Sequence, residues 1–493
     1  MSGLLLGIDL GTTATKLVLV DPAAVVRAEV ARASDLVSGG PGVAEADTAR
    51  WWANVCGAVP DLLERGVVAS QITAVSTTGM VPAVVPLDAD DRPLRSAILQ
   101  NDSRATAEIE ELADRLRGVD LVARTGSALT QQSVAPTALW LARHEPDVWE
   151  RTRSLAGSYD WLLRALGARP HLERNWALES GLFGLNGEPV DEVLAASGLD
   201  PALLPPIVDP GSIVGEVSAV ACAQTGIPAG TPLVVGGADH VMSAYAAGLS
   251  APGDTLVKLG GAGDILVVAD RAVADARLYL DAHPRPGLWL PNGCMATSGS
   301  LLRWFQTLIG GAPLRDLDAQ AETRAASEVL CLPYFLGEKS PLHDPDLRGA
   351  FVGLHLAHDR VDLYRSVLEA IAFGFRHHLD VLAELGLATG TFRVTNGGTR
   401  STLWKQIHAD VLDRPLTPVL DHPGGSLGAA LAAGVGIGAI EGWGDVAGHV
   451  HLGQPVVPGA EAARAYAETY ALWRELGGAL TPIAHSLARK ARA

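Results

Sequence analysis

Two segments half a chain apart share one layout, and this repeat restricts the fold more than any other feature of the sequence. Residues 4–21 (LLLGIDLGTTATKLVLVD) and 255–270 (TLVKLGGAGDILVVAD) each contain an apolar run, a Gly-rich tip, a second apolar run and a closing Asp. A displacement of 249 residues places Gly260 on Gly11. Each segment predicts a β-hairpin, and their separation in a chain of 493 residues predicts a duplicated fold.

The two copies are predicted to be α/β domains. Helical patterns alternate with short β-rich runs such as residues 72–76 and 233–236, an order typical of α/β architecture. The chain is also too long for a single core. A turn cluster at residues 250–253 (SAPG) predicts the boundary, and the expected domains are residues 1–250 and 251–493.

Charge and composition argue against several classes of protein. The formal net charge of -17 and the lack of a long basic run disfavour nucleic-acid binding. No run reaches the roughly 18–20 apolar residues of a membrane span, and the N-terminus lacks the basic region of a signal peptide. The four cysteines form no CxxC pair, as in reduced cytosolic proteins. We therefore expect a cytoplasmic protein without nucleic-acid or membrane partners.

The tip of the first hairpin has the residue types of a phosphate loop. Gly11, Thr12 and Thr13 form the tip, and Asp9 lies two residues before it. Glycine permits a phosphate to approach the backbone closely, and amides and hydroxyls can donate to it. Asp9 could hold Mg²⁺ through water, because this ion retains much of its hydration shell. A hairpin tip with an exposed Asp is the alternative.

Asp239 follows an apolar strand and two glycines in residues 233–240 (LVVGGADH). Open α/β sheets place their sites at the carboxyl ends of strands. A carboxylate there could accept the proton of a hydroxyl that attacks a γ-phosphate. The alternative is that Asp239 is the N-cap of a helix that begins at His240.

A third strand ends in paired glycines, in residues 394–401 (VTNGGTRS), and a helix with Trp404 is predicted to follow. Such a turn suits a nucleotide against a helix N-terminus. The turn is not the Rossmann GxGxxG, and the sequence contains no Walker GxxxxGK[ST] motif.

Together these segments carry a family resemblance. Five motifs occur in order: residues 7–13 (GIDLGTT), 236–239 (GGAD), 332–338 (LPYFLGE), 349–369 and 396–398 (NGG). In this order and spacing the chain resembles the FGGY carbohydrate kinases from Gly7 to about Tyr470.

The resemblance implies two RNase H-like α/β domains of the actin and hexokinase type, with the active site in the cleft between them. It implies ATP-dependent phosphorylation of a small sugar with Mg²⁺. Asp239 would be the general base, and Asp9 and Asp239 would hold the metal. The residues expected at the nucleotide are Gly11, Thr12, Thr13, Lys16, Gly260, Gly261, Gly299, Gly397, Gly398 and Ser401.

The residues expected at the sugar are Met80, Val81, Pro82, Gln100, Asn101, Asp102, Asp239 and His240. The chain looks most like the xylulokinases, and a ketopentose such as xylulose or ribulose is the expected substrate. It departs from them where Val81-Pro82 replace Met-His, Gln100 replaces Trp and His240 replaces Asn. A tetrulose, a polyol (erythritol, arabinitol) or an aldonate therefore stays an alternative, with Arg104 as a cation for the last.

The segment expected at the nucleotide also departs from the family pattern. Gly260-Gly261-Ala262 stand where the family usually has Gly-Thr-Ser or Gly-Thr-Gly, so a hydroxyl that contacts phosphate is missing. An alternative of another class is an actin-like ATPase switch or a pseudokinase. Many relatives dimerise, and a homodimer is expected.

Overall fold

A computed structural model describes residues 3–34, 36, 37, 40 and 42–492. The strands are β1 (Leu4–Leu10), β2 (Ala14–Val20), β3 (Val26–Ala33), β4 (Leu36–Val37), β5 (Glu45–Ala46), β6 (Ile72–Gly79), β7 (Val85–Leu87), β8 (Ala97–Ile98), β9 (Ser154–Ala156), β10 (Leu172–Glu173), β11 (Ile207–Val208), β12 (Ile213–Glu216), β13 (Pro232–Ala238), β14 (Thr255–Leu259), β15 (Gly263–Val267), β16 (Tyr279–Ala282), β17 (Trp289–Met295), β18 (Leu330–Leu332), β19 (Ala350–Val352), β20 (Phe392–Thr395) and β21 (Leu416–Pro418).

The α-helices alternate with these strands over most of the chain, as the sequence predicts. They are α1 (Thr48–Leu63), α2 (Thr106–Arg115), α3 (Leu121–Thr125), α4 (Val134–His144), α5 (Pro146–Arg151), α6 (Ser158–Leu166), α7 (Arg174–Glu179), α8 (Asp191–Ser197), α9 (Ala219–Thr225), α10 (Asp239–Ala246), α11 (Gly299–Leu308), α12 (Leu314–Glu322), α13 (Arg360–Glu384), α14 (Thr402–Leu412), α15 (Gly425–Gly436) and α16 (Ala460–Arg492).

Two six-stranded mixed sheets organise the chain. The first has the order β12-β13-β6-β1-β2-β3 and the second β16-β17-β15-β14-β20-β21. In both, an antiparallel hairpin (β1-β2 or β14-β15) lies beside a parallel strand (β6 or β20). Both predicted hairpins and the predicted duplication are therefore confirmed.

The repeat extends to the register of single residues. Asp9 pairs with Thr78 of the parallel neighbour, and Lys258 pairs with Thr395 in the same way. Across each hairpin, Asp9 faces Lys16, and Lys258 faces Asp264. Asp9 and Lys258 thus occupy equivalent positions in the two copies.

Helix α15 joins the two halves, because it comes late in the chain and packs on the first sheet. Its apolar residues form one cluster with the face of that sheet that carries Leu5 and Val18. The backbones approach so closely that a Cβ on Gly7 would lie 1.9 Å from the Ser426 carbonyl oxygen, and one on Gly428 would lie 2.0 Å from that of Met242. This contact brings the N-terminus of α15 to the end of β1, beside Asp9.

The division at residues 250 and 251 stays a prediction. All strands of the first sheet precede it and all strands of the second follow it, whereas α15 crosses back. The predicted terminal helix is α16. Among the described residues, no helix is long and apolar enough to cross a membrane.

Candidate active site

Two neighbouring cavities lie along the second hairpin. A cavity of about 720 Å³ is lined by Gly260 and Gly261, and one of about 310 Å³ is lined by the next residue, Ala262. The border between the two cavities is therefore the turn Gly260-Gly261-Ala262, in which the expected hydroxyl is absent.

The larger cavity contains most of the residues predicted at the nucleotide. These are Lys16, Gly260, Gly261, Gly299, Gly397, Gly398 and Ser401, with Trp404 beside them. A Cβ on Gly398 would lie 2.4 Å from the Trp404 ring, so glycine is needed for this packing. Ser401 also has a structural task, since its hydroxyl accepts a hydrogen bond from the Trp404 N–H and caps α14.

Two helix N-termini open on the larger cavity. Gly299 begins α11, and Gly424 precedes α15. Within the described chain neither helix has a side-chain cap. The first two N–H groups of α11, from Gly299 and Ser300, already donate to the carbonyls of Gly260 and Gly261. The first N–H groups of α15 have no such bond in the described chain, so they are available to a ligand. Free N–H groups and the helix dipole favour phosphate. The Gly424-Gly425 site was missed from the sequence, although a glycine pair before an apolar run is visible there.

The smaller cavity holds four of the residues predicted at the sugar: Val81, Gln100, Asp239 and His240. Its other polar lining was not predicted and comes largely from the second half of the chain: Gln132, Glu179, Lys258, Asp264, Tyr279, Asp281, Asn292, Cys294 and Lys339.

Hydrogen-bond acceptors without partners mark this cavity as a binding site for hydroxyl groups. Among the described residues, the buried atoms Gln100 Oε1, Glu179 Oε1 and Asp281 Oδ1 have no hydrogen-bond partner. An orphaned buried acceptor costs about 1–3 kcal/mol. A ligand with several hydroxyl donors would remove this cost.

A buried charge network fixes His240 beside Asp239. The imidazole Nε2 lies 2.8 Å from Asp281 Oδ2, and Nδ1 lies 3.4 Å from Asp239 Oδ1. Burial opposes the charged imidazolium, but Asp281 and Asp239 outweigh it and raise the pKa of His240 well above its usual range. Burial and then the charge of Asp281 raise the pKa of Glu179.

Asp239 begins α10 at the end of β13, where the sequence places it. Its side chain is 40% exposed. Oδ1 accepts the N–H of His240 at 2.6 Å, and the N-cap position belongs to Ala238. The alternative of Asp239 as an N-cap is therefore wrong, and the carboxylate faces the cavity.

Asp9 is a buried carboxylate beside Asp239. Burial, followed by the charge of Asp239, raises the pKa of Asp9 to about 7, and Lys16 and Lys258 oppose this shift. A Cβ on Gly425 would lie 3.5 Å from Asp9 Oδ2 and 3.2 Å from the Asp239 carbonyl oxygen. Asp9 Oδ1 has no partner in the described part of the molecule. A pair of carboxylates, one with an orphaned oxygen, fits a hard cation such as Mg²⁺.

The hairpin tip lies outside both cavities. Thr12 and Thr13 are exposed, and the Gly11 N–H donates to the Ala14 carbonyl. The Thr12 hydroxyl lies 3.3 Å from the sulfur of Met80.

Four residues predicted at the sugar also lie outside the cavities found in the described chain. Met80 and Pro82 are buried, and Asn101 is exposed. Asp102 accepts the Ala44 N–H at 2.8 Å and pairs with Arg104.

Comparison with known proteins agrees with this geometry. Residues 4–246 match the N-terminal domain, and residues 268–437 the C-terminal domain, of the FGGY family of carbohydrate kinases. A xylulose kinase of Bacillus subtilis (strain 168) is 27% identical over 445 residues, 88% of this chain and 89% of the relative. One from Streptomyces rubiginosus is 31% identical over 412 residues, 82% of each chain. The crystal structure of xylulose kinase from Rhodospirillum rubrum superposes with a TM-score of 0.92 at 41% identity and covers 98% of this chain and 100% of its own.

The matches extend over both halves of the chain, so the predicted two-domain actin and hexokinase-type fold is confirmed. The protein is an enzyme that transfers a phosphoryl group from ATP to a small sugar. The chain belongs to the FGGY family of carbohydrate kinases.

Proposed function

We propose that the protein phosphorylates a ketopentose, xylulose in the first place, with ATP and Mg²⁺. The observation that carries the proposal is the small acceptor-lined cavity, which has Asp239 on its wall and borders the glycine-lined cavity. The names of the relatives at 27–41% identity supply the sugar.

In the proposed reaction, Asp239 is the general base. Oδ1 is held by the His240 N–H, so Oδ2 is the oxygen that accepts the proton of the sugar hydroxyl. The hydroxyl oxygen then bonds to the γ-phosphorus, and the bond from this phosphorus to the bridging oxygen of ADP breaks. The free N–H groups at the start of α15 orient the phosphates, and positioning supplies much of the rate.

Asp9 and Asp239 would hold Mg²⁺. When bound, the ion neutralises charge on the phosphate oxygens. Thr12 and Thr13 stay proposed contacts of the phosphates. For this contact, the exposed tip of the first hairpin must fold over the nucleotide. Met80, Pro82, Asn101 and Asp102 stay proposed supports of the sugar pocket behind Val81 and Gln100.

An aldonate is the less favoured alternative. The cation suggested for its carboxylate, Arg104, pairs with Glu45 and Asp102 at 2.6 and 2.8 Å and stacks over Trp140. A tetrulose or a polyol supplies the same hydroxyl donors as a ketopentose and is separated from it only by assay. Both aspartates are in place, which disfavours a pseudokinase or a switch.

ADP release with ATP and Mg²⁺ should be measured across xylulose, ribulose, erythrulose, erythritol, arabinitol, glycerol and gluconate. We expect the highest kcat/KM with xylulose. If kcat/KM is highest with a tetrulose, a polyol or an aldonate, that compound replaces xylulose as the proposed substrate. If no compound of the panel causes ADP release although ATP still binds, the proposal is refuted.

We propose a homodimer because many members of the family dimerise. Light scattering coupled to size exclusion would give a mass near twice 51.3 kDa if it forms.

A further inference from the structure

A partly buried ion pair on the wall of the smaller cavity has no part in the mechanism so far. Lys258 Nζ lies 3.0 Å from Asp264 Oδ2, and the two side chains are 12% and 26% exposed. They face each other across the second hairpin and both line the smaller cavity. A core hairpin gains more from apolar residues at such positions, because burying charge is costly.

The strand directs Lys258 toward the place where phosphoryl transfer must occur. Successive side chains along a strand point to opposite faces, and Val257 and Leu259 belong to the core of the second half. Lys258 and Gly260 therefore share the face that is directed to the cleft. Gly260 lines the larger cavity, and Lys258 lines the smaller one.

Lys258 carries its positive charge close to the border of the two cavities, because it lines the smaller one two residues before Gly260 lines the larger. Burial alone would lower the pKa of Lys258, but Asp264 and then Asp239 outweigh it and raise the pKa, so the group stays protonated. Burial, and next the charge of Lys258, lower the pKa of His422 to about 4. Since His422 lines the larger cavity and Asp239 the smaller, the ammonium group acts on both.

We propose that Lys258 is a catalytic residue whose ammonium group, oriented by Asp264, contacts the γ-phosphoryl group of ATP as it passes to the sugar hydroxyl. This rests on the proposed function. The cation supplies the donor that the turn at Gly260-Gly261-Ala262 lacks, at the register position that Asp9 holds in the other copy. Phosphoryl transfer gains most from fixed positive charge at the moving group.

The step balances without a further reactant. The bond from the sugar oxygen to the γ-phosphorus forms, and the bond to the bridging oxygen breaks, with its electron pair leaving on ADP. The hydroxyl proton goes to Asp239, and Lys258 stays protonated throughout.

The test compares Lys258→Met, Lys258→Arg and the neutral pair Lys258→Met/Asp264→Asn, with Lys490→Met at an exposed position as the charge-matched control. For Lys258→Met and the neutral pair we expect kcat to fall about 10²–10³-fold, as for loss of one transition-state donor, with the sugar KM within about threefold. Lys258→Arg should recover part of the loss. The neutral pair leaves no unpaired buried charge, so its melting temperature separates catalysis from folding.

Calorimetry supplies a readout that needs no turnover. Lys258→Met should weaken binding of β,γ-methylene ATP and leave ADP binding unchanged, because only the former carries a γ-phosphoryl group. The catalytic role of Lys258 would be overturned if wild type and Lys258→Met bound β,γ-methylene ATP with equal affinity. It would also be overturned if the kcat of the neutral pair stayed within about threefold of the wild-type value, or if only the sugar KM rose while kcat was unchanged. If the wild-type protein phosphorylates no compound of the sugar panel, the proposed function is refuted. The calorimetric comparison of β,γ-methylene ATP with ADP would still decide whether Lys258 contacts the γ-phosphoryl group.

Discussion

Replacement of Glu338 by Gln should stabilise the protein, and by more as the pH rises. Glu338 is 6% exposed, and Oε1 accepts the N–H groups of Ala296 at 2.7 Å and Lys339 at 2.8 Å. A glutamine retains this acceptor and removes the charge. Burial is the main cause that raises the pKa of Glu338 from 4.5 to about 7.

The sign and size follow from proton linkage. Below pH 4.5 both folded and unfolded chains bind the proton, so ionisation costs nothing. Between 4.5 and about 7 the folded chain binds more protons, and its stability falls as the pH rises. Above about 7 the full cost is present. One pKa unit corresponds to about 1.4 kcal/mol, so the shift from 4.5 to about 7 gives about 3 kcal/mol.

Thermal unfolding of the two proteins should be followed from about pH 4 to about pH 8.5, a range that brackets both pKa values. The difference in melting temperature, variant minus wild type, should be small at the acid end and grow until about pH 8. Glu475→Gln, at an exposed position, is the matched control and should give a difference that does not change with pH. A Glu338→Gln difference that is constant, or that shrinks as the pH rises, would refute the reasoning.

Three further predictions concern the site. Asp239→Asn should bind ATP as the wild type does and lose nearly all turnover, and more than about a tenth of the wild-type rate would contradict its role as base. Gly425→Ala would place a methyl group 3.1 Å from Thr78 Cγ2 and should lower kcat by about 10–100-fold through displaced phosphates, whereas Gly478→Ala, in open space, should leave kcat unchanged. Small-angle scattering should show a smaller radius of gyration with sugar and nucleotide bound than with neither, and an unchanged radius would count against closure.

The framework of the site could be predicted from the sequence because it depends on local signals. Apolar runs beside glycine tips predict the two hairpins, and a strand that ends in Gly236-Gly237 predicts where Asp239 lies. Each of these features involves residues that are close along the chain, and the structure contains all of them.

The walls of the sugar cavity could not be predicted in the same way. Val81 lines the cavity and Met80 does not, because β6 ends at Gly79 and the chain bends at Val81 and Pro82. Asp281 and Glu179 meet His240 from distant elements. Which polar residue of a strand faces the cleft depends on how the two sheets are placed, and no local pattern contains that information.

The duplication explains why the backbone was easier to predict than the chemistry. Both copies bring the same register position to the cleft, so the repeat alone indicates where side chains can act. The two positions then carry opposite charges, Asp9 in one copy and Lys258 in the other. A chain of net charge -17 needs local positive groups where it holds phosphates, and two equal carboxylates would repel both the nucleotide and each other. In the proposed mechanism, the difference between the copies, more than their likeness, therefore suits the cleft to phosphoryl transfer.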